Sequence, residues 1–463
     1  MNFNSLEYGV FLLVVVALYW AITQSSVARR TLLLIASYIF YMSWSSYYAG
    51  LILFSTLVDF QLGRWMAKEE SEPRRRVLLI ISLVTNLGLL FVFKYFNFFV
   101  ETGEQIVSLF GTPVEITRSR LLLPVGISFY TFQTLSYTID LYRRKLNAET
   151  SFLNFAVFVS FFPQLVAGPI VRAVDFLPQM TKRPRMTTTR FHAGILRILQ
   201  GLIKKVIFAD LLAALLVDDV FANPKEFGTI DHLLALYGYA FQIYNDFSGY
   251  SDIAIGSAML LGFQLPENFD RPYIAKDVRE FWSRWHITLS TWLRDYLYIP
   301  LGGNRRGERR TTMNLMLTMI LGGLWHGASM NFVLWGVYHG LLLVLAHRFT
   351  SMIRSGAARV FLCFHLVLLG WLLFRIESLS SLSDFGSSLI SGNWLPGRAS
   401  YLFMGILILA SMEHFVQPER LAQLRTTLAA KVPSPVLGFA YAMILLLLVG
   451  ATVDAPSFLY FQF

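Results

Sequence analysis

Cysteine is nearly absent from this chain. Cys363 alone, in an apolar run, leaves no partner for a disulfide and excludes any Cys-rich metal site. Charge is also scarce: 15% of the 463 residues are Asp, Glu, Lys or Arg, against about 25% in soluble domains. Hydrophobic residues make up 55%, with 40 Phe and a mean hydropathy of +0.53. Those values exclude an ordinary soluble domain and indicate an all-α polytopic membrane protein. There is no HExxH, no phosphate-binding glycine loop and no internal repeat. The first eight residues hold no Lys or Arg, which argues against a secretory signal and for an uncleaved first span that starts outside. No linker is long enough to separate a soluble domain, so residues 1–463 are expected to form a single membrane-embedded domain.

What charge there is has a pattern. The formal net charge is +10, and the clusters Arg29-Arg30, Arg74–Arg76 and Arg143–Lys145 fall in alternate loops. That is the distribution of a membrane protein with basic loops on the cytoplasmic side, not of a nucleic-acid binder. Apolar runs predict about eleven or twelve spans in the lipid bilayer, some broken or re-entrant. Lys94 interrupts one run and is expected to reach an interface by its aliphatic stem. Lys204 and Lys205, adjacent in a helical pattern, suggest an interfacial or cavity-lining helix. Ile230–Phe263 reads as a long run divided by its polar residues Asn245-Asp246 and Ser248–Asp252.

The most informative stretch is Gly322-Gly323-Leu324-Trp325-His326-Gly327. An imidazole among three glycines in an apolar run is costly and locally helix-breaking. A neutral histidine can take a proton from a hydroxyl, and the glycines would let a substrate approach the backbone and its amides. The alternative is that His326 only satisfies a helix break by bonding a carbonyl. A second stretch, from Val278, sets Phe281, Trp282, Trp285, Leu289, Trp292, Leu293 and Tyr296 at helical spacing. It predicts one amphipathic helix beginning at Asp277 and stopping at Pro300. His286 lies beside that stripe and needs a partner. His339, His347 and His365 are expected near span ends. A metal held by His286, His326, Asp246 and Asp252 is conceivable but lacks a ligand spacing. Gly302-Gly303-Asn304-Arg305-Arg306 can hold a phosphate-bearing substrate or lipid headgroups, and the latter is favoured.

The run Arg279-Glu280-Phe281-Trp282-Ser283-Arg284-Trp285-His286-Ile287-Thr288-Leu289-Ser290, continued by Trp292–Asn304, resembles the signature of the membrane-bound O-acyltransferase family. Gly322–Gly327 is similar to that family's histidine motif. Leu123–Tyr130, Ala167–Ile170 and Asp246–Asp252 resemble the bacterial alginate O-acetyltransferase membrane subunits. The resemblance implies a ring of transmembrane helices around a thin centre, with a family core at roughly 121–376 and two funnels meeting near the catalytic histidine. By position in the motif that histidine is His326, and His286 is the second. Trp325, Gly327, Asn245, Asp246, Arg294 and Asp295 are expected to bind substrate. No bound cofactor and no metal are implied.

The expected donor is a cytoplasmic thioester, acetyl-CoA. The acyl group would cross the bacterial inner membrane toward an extracytoplasmic polysaccharide, with a periplasmic or membrane-anchored acetyltransferase as partner. Alginate, another exopolysaccharide or peptidoglycan fit as acceptors, and a glycan or lipid transporter is the non-enzymatic alternative. The sequence ends in Phe458-Leu459-Tyr460-Phe461-Gln462-Phe463, which resembles an aromatic terminal motif of this branch. Tyr460 is thereby a candidate acyl relay, or else part of an interfacial aromatic tail.

Overall fold

The computed structural model describes residues 1–22, 25–111, 116–118, 121–166, 168–350, 353–376, 378–391, 394 and 401–452. The aromatic tail with Tyr460 lies outside the described residues. Among them there is no strand. In chain order the helices are α1 (Leu6–Ala21), α2 (Ser26–Met42), α3 (Ala49–Lys68), α4 (Glu72–Leu90), α5 (Phe96–Ser108), α6 (Ile127–Tyr142) and α7 (Phe152–Ser160). There follow α8 (Phe162–Leu165), α9 (Ala173–Thr181), α10 (Thr188–Leu202), α11 (Asp218–Ala222), α12 (Thr229–Leu260), α13 (Val278–Arg284) and α14 (Ile287–Leu293). The last are α15 (Gly307–His326), α16 (Met330–Thr350), α17 (Gly356–Arg375), α18 (Leu379–Ser391), α19 (Tyr401–Met412), α20 (Pro418–Lys431) and α21 (Ser434–Ala451).

Glu72–Ser108, Gly356–Arg375 and Ser434–Ala451 are long and apolar enough to cross a membrane, and Leu6–Ala21, Met330–Ala346 and Tyr401–Phe415 are shorter apolar helices. Other helices have the length but carry buried polar groups. With its 20 residues, α3 reaches about 30 Å, yet it buries Asp59. That carboxylate accepts from Ser82 Oγ at 2.6 Å and Asn86 Nδ2 at 2.8 Å on α4. Buried polar groups are tolerable when hydrogen-bonded in this way.

The predicted division within Ile230–Phe263 is not observed: α12 is one continuous helix of 32 residues. Its charged residues Asp246 and Asp252 are paired from the segment Lys204–Asp210 and from Arg197 of α10. Lys205 pairs with Asp246 and Asp210, each at 2.7 Å, and Lys204 pairs with Asp252 at 2.8 Å and Glu413 at 2.6 Å. Asn245 Nδ2 donates to its own helix at Phe241 O, 2.8 Å away. The lysines are therefore buried ion-pair partners and do not lie at an interface, although Lys204 also borders a small polar cavity. Helices α10 and α12 meet where Gly201 faces Gly249. A Cβ on Gly201 would stand 2.5 Å from the Gly249 carbonyl oxygen, so two glycines are what permits the contact.

The amphipathic stretch departs from the single helix predicted. It breaks at Trp285-His286 into α13 and α14, with His286 at φ 42 and ψ 55. That left-handed conformation is uncommon without glycine, and tertiary contacts to His286 hold it, as described next.

Candidate active site

The helix α15 ends at His326 because Gly327 turns to an extended conformation, φ −161. A helix end leaves carbonyl oxygens without intrahelical donors. Three of them are met from one π-helical turn, Phe91–Tyr95. Tyr95 Oη donates to Leu324 O at 2.9 Å, and Lys94 Nζ donates to Trp325 O at 2.6 Å and His326 O at 3.1 Å. Lys94 thus does not reach an interface. It places its charge at the negative end of the helix dipole.

The His326 ring is 5% exposed. Aromatic rings surround it: Trp325 and Trp335 both stand edge-on with centroids at 5.1 Å, and Phe374 at 5.3 Å. Two cavities share His326 in their walls. One, of about 80 Å³, is bounded by Lys94, Trp325 and the segment Leu123–Phe129. The other, of about 220 Å³, is largely apolar and bounded by Trp282, Leu289, Leu293, Arg294 and Trp335. A side chain in both walls can meet reactants arriving from either.

His286 is fully buried. Its Nδ1 lies 3.1 Å from Asn268 Oδ1. The same oxygen accepts from Thr288 N at 3.2 Å and Thr288 Oγ1 at 2.9 Å. Because a backbone N–H can only donate, this atom of Asn268 is the carbonyl oxygen, and His286 Nδ1 must carry the proton. Nε2 is then left as the basic nitrogen, with no hydrogen-bond partner among the described residues. The bonds to Asn268 also explain the left-handed backbone of His286. The Trp325 ring packs against both histidines, with centroids 5.8 Å from His286 and 5.1 Å from His326.

The other predicted site residues are distributed unevenly. Trp325 and Arg294 border the cavities. Asp295 is tied to Arg172 and Arg294, each at 2.7 Å. Burial pushes its carboxyl up, but the hydrogen bonds from both guanidiniums outweigh this and hold it below the usual carboxylate range. Gly327 packs under the Phe332 ring, which fills the space a side chain would need. Asn245 and Asp246 border neither cavity; the Asp246 carboxylate is engaged by Lys205. Among the described residues no His, Cys, Asp and Glu cluster could hold a metal, and Asp246 and Asp252 are already occupied by lysines. His339 is not near a span end but fully buried, against Trp335 at 4.7 Å and Trp282 at 5.2 Å. His365 meets Tyr237 Oη at 2.7 Å. Sequence reasoning missed Lys94 and Asn268 as neighbours of the site. A lysine inside an apolar run was the visible signal for the first, while Asn268 had none.

Comparison with known proteins fits this geometry to a family. Residues 14–382 match the model of the membrane-bound O-acyltransferase family. The chain belongs to that family. It is similar to a probable alginate O-acetylase, AlgI, of Pseudomonas putida, 42% identical over 83% of this chain and 79% of that protein. A peptidoglycan O-acetyltransferase of Helicobacter pylori is 35% identical over 75% of this chain and 71% of its own. A teichoic acid D-alanyltransferase of Streptococcus thermophilus is 31% identical over 54% and 63%. The protein is a membrane-bound O-acyltransferase, and the two-walled histidine is the feature to be explained in those terms.

Proposed function

We propose that this acyltransferase takes an acetyl group from a cytoplasmic thioester, acetyl-CoA, and passes it across the inner membrane for O-acetylation of an extracytoplasmic polysaccharide. The observation that carries the reading is that His326 borders both cavities. An imidazole so placed accepts the proton of an attacking hydroxyl as its oxygen bonds to the thioester carbon. The carbon–sulfur bond then breaks, and the thiolate takes up the proton. His286, with Nε2 basic and Trp325 packed against both it and His326, is the second base of the pair. Arg294 at the rim of the larger cavity suits an anionic donor.

The alginate O-acetylase relatives favour an alginate-like exopolysaccharide as acceptor. The Helicobacter relative keeps peptidoglycan as the second reading. On either reading a periplasmic or membrane-anchored acetyltransferase makes the final ester. Tyr460 is proposed as the acyl relay: its phenol, with an ordinary pKa of about 10, needs a base to attack a thioester.

The test is transfer from labelled acetyl-CoA by the purified protein. His326→Ala is expected to lower the rate by roughly 10²–10⁴-fold with unchanged thermal stability. Equal rates from both proteins would remove His326 from its role. Tyr460→Phe keeps the apolar ring and loses the hydroxyl, so glycan acetylation surviving that change overturns the relay and leaves the His326 reading intact.

A further inference from the structure

A second cavity cluster lies away from the histidines. Between the start of α2 and the connector from α9 to α10 there is an open cavity of about 300 Å³. It shares no lining residue with either cavity at His326. Its size falls at the lower end of small-molecule pockets, about 300–1,000 Å³. Six basic residues line it: Arg29, Arg30, Lys182, Arg183, Arg185 and Arg190. No Asp or Glu does.

The buried Lys204, Lys205, Asp246 and Asp252 each have an opposite charge beside them. These six cations do not: among the described residues none of them forms a salt bridge. Arg30 is held in place by Asn154 and by Ser26 O, and Arg190 by Gly262 O at 3.0 Å. Arg29 is the informative member. It is 6% exposed, its Nε has no hydrogen-bond partner, and its guanidinium stands 5.7 Å from the Tyr19 ring centroid. A guanidinium taken out of water without an anion is costly. Ser26, the first residue of α2, also lines the cavity, so the positive end of that helix dipole adds to the field.

We propose that this cavity is a phosphate-binding site, with Arg29 as its buried anchor and Arg183 and Arg185 as its outer clamp. Planar guanidiniums match phosphate oxygens in bidentate geometry, and several around one centre favour phosphate over a singly charged halide. Phosphate chemistry of this kind is offered by an acidic phospholipid headgroup and by a soluble phosphate. Arg29-Arg30 is one of the basic clusters that the alternating charge pattern assigns to the cytoplasmic side, where both sources are met.

The full-length protein in phosphatidylcholine nanodiscs separates the sources. Binding of radiolabelled inorganic phosphate is measured by equilibrium binding, and retention of added phosphatidylglycerol by native mass spectrometry. Wild type is compared with Arg29→Gln and with Arg183→Gln/Arg185→Gln. Both residues of the latter pair are exposed, so their replacement is expected to leave folding intact. Arg309→Gln/Arg310→Gln removes the same charge at an exposed place elsewhere. The expected result is binding of one or both probes by wild type, weakened by about tenfold or more in both cavity variants and unchanged in the control. Phosphate uptake without phosphatidylglycerol retention identifies a soluble ligand, and the reverse identifies the lipid headgroup; both support the site. No binding of either probe by wild type, equal binding in the cavity variants, or an equal loss in the control pair overturns it.

Discussion

Lys94 Nζ stands 2.6 Å from the Trp325 carbonyl oxygen and 3.1 Å from that of His326. A side chain more than two hundred residues away in sequence therefore closes the helix end on which His326 sits, and it shares the wall of the smaller cavity with that histidine. Lys94→Met keeps the stem and removes the donors. Leaving buried carbonyls unsatisfied costs about 1–3 kcal/mol, so the melting temperature should fall. The imidazole should also lose its fixed position, lowering acetyl transfer by about tenfold or more. Lys94→Arg restores donors and charge and should recover part of both. Steady-state transfer measured beside thermal unfolding tests this; unchanged kinetics in Lys94→Met would limit Lys94 to a structural cap.

Asn268 fixes the tautomer of His286. In Asn268→Ala the Nδ1 proton loses its acceptor and the left-handed backbone at His286 loses its support. Transfer is expected to drop by about 10–100-fold, the range seen when the partner orienting a functional histidine is lost, with a smaller effect on KM for acetyl-CoA. The His286 signals in nitrogen-15 spectra, identified by their loss in His286→Gln, should show a single Nδ1-protonated form in wild type. A mixed tautomer in wild type would contradict the assignment.

Gly323 lies one turn before His326, and a Cβ there would run into the Phe332 carbonyl oxygen of α16. Because the obstacle is backbone, neither helix can give way by a rotamer change. Gly323→Ala should destabilise the protein by about 1–3 kcal/mol through overpacking. Gly405→Ala, where nothing stands within 4 Å, should not. Paired thermal melts in the same detergent decide the matter.

What could be read from the sequence followed from local pattern. Apolar runs and alternating basic clusters are signals within about 20 residues, and the break at His326 was visible as glycines on either side of an imidazole. The misread positions all depend on partners distant in the chain. Lys94 looked like an interface residue because its carbonyl acceptors are on α15. Lys205 looked interfacial or cavity-lining because its partner Asp246 is on α12. The break at His286 was hidden because its apolar neighbours keep helical spacing while Asn268, eighteen residues earlier, pulls the backbone over. Periodicity reports which face is apolar; it carries no information on which buried polar group finds which partner.

The ion pairs behind the site make a stronger demand on stability than the site itself does. Asp252 is shared by Lys204 at 2.8 Å and by Arg197, and Lys204 also reaches Glu413. Removing Asp252 leaves Lys204 with Glu413 alone and Arg197 with the more exposed Glu267 alone, and breaking a buried ion pair typically costs about 3–5 kcal/mol. Asp252→Asn should therefore sharply lower the melting temperature and the yield of folded protein, whereas His326→Ala should leave both near wild type. Replacing Lys204, Asp252 and Glu413 together by Met, Leu and Gln removes the stranded charges, while Arg197 keeps Glu267. If the pair is structural, the triple variant should be more stable than Asp252→Asn alone and should retain acetyl transfer. If stability returns while transfer stays lost, the pair also serves the reaction, through Asn268: its Nδ2 lies 3.3 Å from Ser251 Oγ, next to Asp252, and its Oδ1 holds His286.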